Sequence, residues 1–420
     1  MTTPDIPKAA KDHPFVAYFL STIFMVFGSV YAIQNWPNHW AQAVISFTCL
    51  ATLLLILGRE FSTLVKSEKW PAEIKFVLLI LFLGVLNICY SENIWQSFKG
   101  MGLFLMSGIL TFLATYFLFQ SEKNRKNFSL LCTLCFFILV LYGLFEIYQQ
   151  SEISTKRILL FSSNPIPAGS LLILLSFGPL SLLSKNNSSW IKIPLILSLA
   201  LGVLVTIFIG QRGPLIAIFG MLLLWTTINR KGMVFFILAA LMIGGTVYQL
   251  GNQFPASYKS RMQNRDTLLV RMEFYPIALD VFKEKPLFGL GFNSSLSRFI
   301  PDDYETKIFP AKGKYSFHDM VTNLNVFDNM LLTFLGETGA LFSLAYFCLM
   351  VYLIKHQFPG LRDENENRKL GFLLIVLVGF LIHSITFDSL KYPHLNWLFH
   401  SYLGLLTSRE EIQTGLANKF

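Results

Sequence analysis

The sequence predicts an all-α, polytopic membrane protein with about twelve transmembrane helices. Of its 420 residues, 53% are hydrophobic and only 14% are charged, and the mean hydropathy is +0.53. A soluble domain carries about 25% charged residues, so the composition excludes an ordinary soluble domain. Apolar windows of roughly 18 residues or more, long enough to cross a bilayer, also recur along the whole chain.

These windows divide the chain into three parts. Residues 1–250 contain spans one to nine, residues 251–325 form a polar loop, and residues 326–420 contain spans ten to twelve and a cytoplasmic tail. We place the twelve spans near 15–33, 40–58, 75–90, 101–119, 128–148, 167–184, 190–209, 214–229, 233–250, 326–354, 370–388 and 393–408.

The lysines and arginines of the short loops predict the orientation. With a cytoplasmic N-terminus, 19 basic residues fall in inside segments and 5 in the short outside loops. Because basic residues are enriched in cytoplasmic loops, we expect both termini inside and the long loop outside. The net charge of +9 then reflects topology. No basic-aromatic module is present, which weighs against a nucleic acid partner.

The long loop is where we expect the function, because a loop of this size between spans is uncommon unless it is functional. Arg271 and Tyr275 share one side of a predicted helix in this loop. Arg271 either reaches an anionic group at the level of the lipid headgroups or pairs with Glu273 or Asp280. The other side carries apolar residues at helical spacing, which predict an amphipathic helix lying on or over the membrane surface: Val270, Phe274, Ile277, Ala278 and Val281.

Two helices are predicted to start on the same outer face as the loop. In IFIGQRGPLIAIF, Gly210 and Gly213 break a helix and Pro214 starts the next one, which places Arg212 at the outer mouth. Free N–H groups, the helix dipole and a guanidinium together favour an anion such as phosphate. An interfacial arginine reaching for water is the alternative. In FSSNPIPAGS, Asn164 is a candidate helix cap or part of an ordinary turn.

The acid and imidazole side chains of this face include candidates for a general base. Asp328, followed by Asn329 at the start of span ten, either accepts a proton from an alcohol or caps the helix. His318 is the second candidate. Glu337 lies deeper and is predicted to be a structural residue that holds a partner. Four further residues around the last outer loop are interpreted as interfacial polar groups: His383, Asp388, His394 and His400.

No metal site is predicted. Cys132 and Cys135 form a C-x-x-C pattern, but it lies within an apolar span and has no second cysteine pair. The two thiols are therefore expected to pack in the helix bundle.

Four segments, in their order and spacing, carry a resemblance to a known family. They are SSNPIPAG, IGQRGPLIA, RMEFYPIALDVFKEKPLFGLGFNS and DNMLLTFLGETGALF. Together they resemble the O-antigen ligase family, which comprises integral-membrane glycosyltransferases including O-antigen ligases and related polysaccharide polymerases. The resemblance covers most of the chain, from about Ser91 to Leu406.

The resemblance implies both a reaction and a place for it. The donor would be a glycan on undecaprenyl pyrophosphate, and the acceptor a sugar hydroxyl of lipid A–core. Transfer would invert the anomeric centre without a metal or cofactor, at the periplasmic face of the bacterial inner membrane. A polymerase that extends the glycan on the same carrier is the alternative. A lipid-glycan transporter fits less well, because the polar residues gather on one face of the membrane.

The resemblance also suggests roles for individual residues. Arg212 and Arg271 match the arginines that contact the pyrophosphate. Gln211 stands where ligases commonly have serine, and Asp328 with Asn329 stands where they often have a His-Asn pair. The general base is therefore either Asp328 or His318. Four residues are further candidates for substrate binding: Asn164, Gln211, Tyr275 and Asn329.

Overall fold

The computed structural model describes residues 13–65, 70–149, 158–161, 165–183, 188–228, 266–294, 299–300, 327–357 and 368–407. Within these ranges all regular secondary structure is helical, and no strand occurs. The first eleven α-helices are α1 His13–Ile23, α2 Ser29–Asn35, α3 Asn38–Val65, α4 Ala72–Cys89, α5 Ile94–Phe104, α6 Leu110–Leu118, α7 Glu122–Gln149, α8 Pro165–Leu175, α9 Phe177–Leu183, α10 Ser189–Ile209 and α11 Arg212–Ile228.

Five α-helices and four short helical turns complete the described fold. The later α-helices are α12 Asp266–Glu284, α13 Met330–Thr333, α14 Gly339–Gln357, α15 Arg368–Ser384 and α16 Pro393–Leu406. The turns are three π-helical segments, Phe24–Gly28, Leu105–Ile109 and Phe334–Thr338, and one 3₁₀ segment, Ser389–Lys391.

The chain is a multi-pass membrane protein. Two shorter apolar helices, Arg212–Thr226 and Lys369–Ser384, accompany eight that are long and apolar enough to span a membrane, counted over the described residues. The eight are Pro14–Ile33, His39–Gly58, Ala72–Cys89, Ile94–Leu118, Glu122–Gln149, Pro165–Leu183, Ser189–Ile209 and Met330–Lys355. The predicted ninth span, 233–250, lies outside the described residues, so the total of twelve spans and the position of the loop stay predictions.

Two predicted spans are interrupted. The span predicted at 167–184 breaks between α8 and α9 beside Pro179, whose ring nitrogen has no hydrogen to continue the helical ladder. The span predicted to begin at residue 326 begins instead at Met330. It is then interrupted at Gly339, which has a φ of 72°. Both breaks expose backbone groups that neighbouring segments use as partners.

α16 forms the centre of the bundle. All fourteen of its residues are buried, and it packs on α6, α8, α14 and α15. The amide of Asn396 donates to Phe104 O and Ser107 Oγ, both at 2.9 Å. The indole of Trp397 donates to Thr22 Oγ1 at 3.1 Å. Such hydrogen bonds between helices hold polar side chains inside a membrane protein.

The amphipathic helix predicted in the long loop is confirmed as α12, but its apolar face packs on protein. Phe274, Ile277 and Val281 are buried in a small cluster with Leu290 and Phe327. The helix was predicted to lie on or over the membrane surface, and in the structure Leu290, just after α12, and Phe327, just before α13, cover its apolar face. The side chain of Val270 lies outside the described part.

Candidate functional site

Three helix ends approach closely at one end of the bundle. A Cβ on Gly213, in the first turn of α11, would lie 2.6 Å from Thr386 Oγ1 and 3.3 Å from His383 Nε2. A Cβ on Gly169, in α8, would collide with the ring of Pro214. Both contacts are tighter than a side chain permits, so the glycines allow the start of α11 to reach α8 and the end of α15.

The start of α11 is built as an open helix end. Gly210 ends α10 with a φ of 70° and a ψ of 29°, the left-handed conformation that glycine adopts without strain. The next helix begins at Arg212, whereas the sequence pattern placed Pro214 in the first position. Arg212 and the preceding Gln211 are both partly exposed. The first N–H groups of a helix have no partner inside it, so this end presents donors beside a guanidinium.

α12 presents two predicted residues to the start of span ten. Arg271 and Tyr275 lie one turn apart on the helix. Arg271 Nη2 lies 3.6 Å from Asp328 Oδ2, and the hydroxyl of Tyr275 accepts a hydrogen bond from Asn329 Nδ2 at 3.3 Å. The structure therefore brings these four predicted site residues together.

The turn before α13 explains the geometry of this group. Asn329 caps the helix, because its Oδ1 accepts hydrogen bonds from the N–H groups of Leu331 at 2.9 Å and Leu332 at 3.3 Å. Asp328 precedes the cap with a φ of 49°, a left-handed conformation that aspartate tolerates better than most residues. The cap belongs to Asn329, so the alternative that Asp328 is the helix cap is wrong.

Burial raises the pKa of the Asp328 carboxyl above its usual range, and the nearby positive charge of Arg271 opposes this rise. The side chain of Asp328 is nevertheless 23% exposed, so a substrate can reach it. A carboxylate with a raised pKa and an open side is chemically suited to accept a proton.

A second carboxylate lies deeper beside the first. Asp388 is buried, and its Oδ2 lies 3.8 Å from Lys391 Nζ. Burial raises the pKa of Asp388, the charge of Lys391 lowers it, and the neighbouring charge of Asp328 raises it further. The segment between α15 and α16 thus brings one more acid and one more cation to the site.

Glu337 locks the loop after α12 to the start of α14. Its Oε1 lies 2.6 Å from Lys391 Nζ, and its Oε2 accepts the N–H of Asn293 at 2.9 Å. Its backbone carbonyl accepts hydrogen bonds from Gly291 N at 3.0 Å and from Asn87 Nδ2 at 2.9 Å. The prediction that this buried acid holds a partner is confirmed.

His383, at the end of α15, was interpreted as an interfacial polar group, and this interpretation is wrong. The residue is fully buried. Its Nδ1 lies 3.2 Å from Ser170 Oγ and 3.3 Å from Ser389 Oγ. Asp388 was misjudged in the same way. A signal was available, since ionisable groups inside or at the end of an apolar span are costly and are usually functional.

Several buried polar atoms around these residues have no hydrogen-bond partner in the described protein. They are Arg271 Nε, Thr333 Oγ1, His383 Nε2 and both carboxylate oxygens of Asp388. Buried polar atoms in proteins are nearly always paired. Arg271 Nε and His383 Nε2 have no such neighbour, whereas Thr333 and Asp388 interact with each other and Asp388 also lies near Lys391. Donors, cations and carboxylates in one buried region are suited to holding an oxyanion next to a proton acceptor.

The remaining predicted residues and the metal prediction are not tested by the fold. Asn164 and His318 lie outside the described residues. In the part of the chain that the structure describes, no group of three or more His, Cys, Asp or Glu side chains is placed to hold a metal ion. Cys132 and Cys135 are buried free thiols.

Comparison with known proteins identifies the domain that carries much of this site. No curated protein sequence matches the chain. Residues 197–348 match the family model described as O-antigen ligase, and this segment includes Arg212, Arg271 and Asp328. The match confirms, over this segment, the resemblance carried by the sequence motifs.

Proposed function

We propose that the protein is an O-antigen ligase-type glycosyltransferase. It transfers a glycan from undecaprenyl pyrophosphate to a sugar hydroxyl of lipid A–core, at the periplasmic face of the bacterial inner membrane. The observation that supports this most strongly is the pairing of Arg271 with Asp328, 3.6 Å apart, at a partly exposed position. These residues belong to the segment that matches the O-antigen ligase family.

The donor pyrophosphate is held by fixed positive groups. Arg212 and the N–H groups at the start of α11 bind one phosphate, and Arg271 binds the other. As the bond between the anomeric carbon and the phosphate oxygen breaks, the electron pair and the developing negative charge pass to the pyrophosphate. Preorganised donors and cations in a water-poor site stabilise that charge far better than water does.

The acceptor hydroxyl attacks the anomeric carbon from the opposite side, which inverts its configuration. Asp328 accepts the hydroxyl proton as the new carbon–oxygen bond forms. We prefer Asp328 to Asp388 because its side chain is 23% exposed, against 3% for Asp388. Tyr275, Gln211 and Asn329 contact the sugars or hold the turn that positions Asp328.

Substitution of the two arginines tests the proposed donor site. Arg212→Ala and Arg271→Ala are each expected to reduce transfer by about a hundredfold or more, the usual effect of removing one oxyanion-stabilising group. Lys283→Ala is the matched control, because this lysine lies on the same helix with a side chain 73% exposed. Both arginine variants must accumulate in the membrane like the control, and normal transfer by either of them would exclude the pyrophosphate clamp.

Substitution of the acid tests the proposed base. Asp328→Asn keeps the size of the side chain but cannot accept the proton, so we expect transfer to fall by at least about a hundredfold. If Asp328→Asn is active while His318→Ala is inactive, His318 is the base.

A further inference from the structure

We propose that His383 is a third ligand of the donor pyrophosphate: its Nε2–H donates a hydrogen bond to a phosphate oxygen held at the first turn of α11. The inference rests on the proposed function and adds a neutral donor to its two arginines. His383 lies outside the segment that matches the O-antigen ligase family, residues 197–348.

The position of the imidazole supports this role. Nε2 is buried, has no hydrogen-bond partner, and lies 3.3 Å from the place a Cβ on Gly213 would occupy. It therefore lies beside the first turn of α11, which begins at Arg212. His383 is thus next to the helix start at which Arg212 is proposed to hold a phosphate.

The second ring nitrogen determines where the proton resides. Nδ1 lies within 3.3 Å of the Ser170 and Ser389 hydroxyls. The Ser170 hydroxyl donates to Ile166 O at 3.2 Å, and in the proposed tautomer the Ser389 hydroxyl donates to Nδ1. A neutral imidazole that accepts at Nδ1 carries its proton on Nε2. The nitrogen that faces the anion site is then a donor, as a phosphate oxygen requires.

The surrounding cations and the helix end explain why a neutral donor suits this position. Two guanidinium groups and a helix N-terminus already supply positive charge. A third buried cation would be repelled by them when no ligand is bound, whereas neutral imidazole is not.

Two amide substitutions separate ligand binding from a structural role. Glutamine places an amide nitrogen near the position of Nε2, and asparagine places one near Nδ1. We expect His383→Gln to bind undecaprenyl pyrophosphate within about threefold of the natural protein. His383→Asn is expected to bind it roughly ten- to a hundredfold more weakly, as the loss of a hydrogen bond to a charged group requires.

Binding is measured with purified protein in detergent and synthetic undecaprenyl pyrophosphate that carries no glycan. Ser384→Ala is the control, since this neighbouring hydroxyl donates to Phe380 O of its own helix at 2.8 Å. Natural affinity in His383→Asn, or equal losses in the asparagine and glutamine variants, would overturn the proposal. So would a loss of the same size in the control.

A second variant keeps His383 and instead fills the space beside its Nε2. Gly213→Ala puts a methyl group 3.3 Å from Nε2, and we expect it to weaken binding at least tenfold. Unchanged binding would overturn the proposal. If Arg212→Ala and Arg271→Ala also bind the lipid normally, the proposed function itself fails. If they lose binding while His383→Asn does not, only the role of His383 is wrong.

Discussion

If Asp328 is the general base, its ion pair with Arg271 affects how the transfer rate depends on pH. A general base works only when it is deprotonated, so activity is present above its pKa and is lost as the pH falls through it. Arg271 holds the pKa of Asp328 below the value that burial alone would produce. Removing the guanidinium therefore raises this pKa, and the acidic limb of the rate profile must move to higher pH.

The size of this shift follows from the geometry of the pair. Two unit charges 3.6 Å apart interact by about 1 kcal/mol in a water-like dielectric and by about 4–5 kcal/mol at an effective dielectric constant of 20. The two side chains are 32% and 23% exposed, so solvent screens them and the lower part of that range applies. We expect about 1–2 kcal/mol, which corresponds to roughly one pKa unit.

The assay is the rate of glycan transfer by Arg271→Gln as a function of pH, compared with the natural protein and with Arg212→Gln. Both variants lose a pyrophosphate contact and become slower. Only Arg271→Gln loses the cation next to Asp328, so only its acidic limb moves upward, by about one unit. An unmoved limb in Arg271→Gln, or an equal movement in Arg212→Gln, would refute Asp328 as the base.

Two further predictions concern the elements that hold the site. Lys391→Met leaves the buried carboxylate of Glu337 without its cation, which costs about 3–5 kcal/mol, whereas Glu337→Gln leaves Lys391 beside Asp388 and costs less. Thermal unfolding of the purified variants checks this order, and equal losses would contradict it. Gly339→Ala places a Cβ within 2.5 Å of backbone atoms at a φ of 72°, so we expect a lower melting temperature. Gly102→Ala, whose Cβ meets nothing within 4 Å, serves as the control and is expected to melt no lower than the natural protein.

The fold class and part of the site could be predicted because their signals are local. Long apolar windows predict membrane spans directly, and helical spacing predicted α12 together with the pair Arg271 and Tyr275. The break at Gly210 and Arg212 was visible for the same reason, since glycine and proline act on the backbone of their own neighbourhood. Asp328 was recognised because a carboxylate at the start of a span can act as a general base toward an alcohol.

The environments of the other site residues could not be predicted, because they depend on contacts between segments that are distant in the sequence. His383 and Asp388 look like interfacial polar groups until α15 is packed on α11 and α8. Likewise, the apolar face of α12 could be read equally well as facing lipid or protein. Its true partners include Leu290 and Phe327, and Phe327 is far from the helix in the chain. Hydrophobic spacing predicts that a helix face is buried, but it does not tell whether lipid or protein covers that face.

The most direct test of the proposed ligase activity is a reconstitution. Purified protein is mixed with undecaprenyl-pyrophosphate-linked glycan and lipid A–core in the presence of a chelator, and the products are separated on a gel. We expect a ladder of glycan-capped core, because the proposed site needs neither a metal nor a nucleotide. Longer glycans on the carrier with unmodified core would contradict ligation and identify the protein as a polymerase.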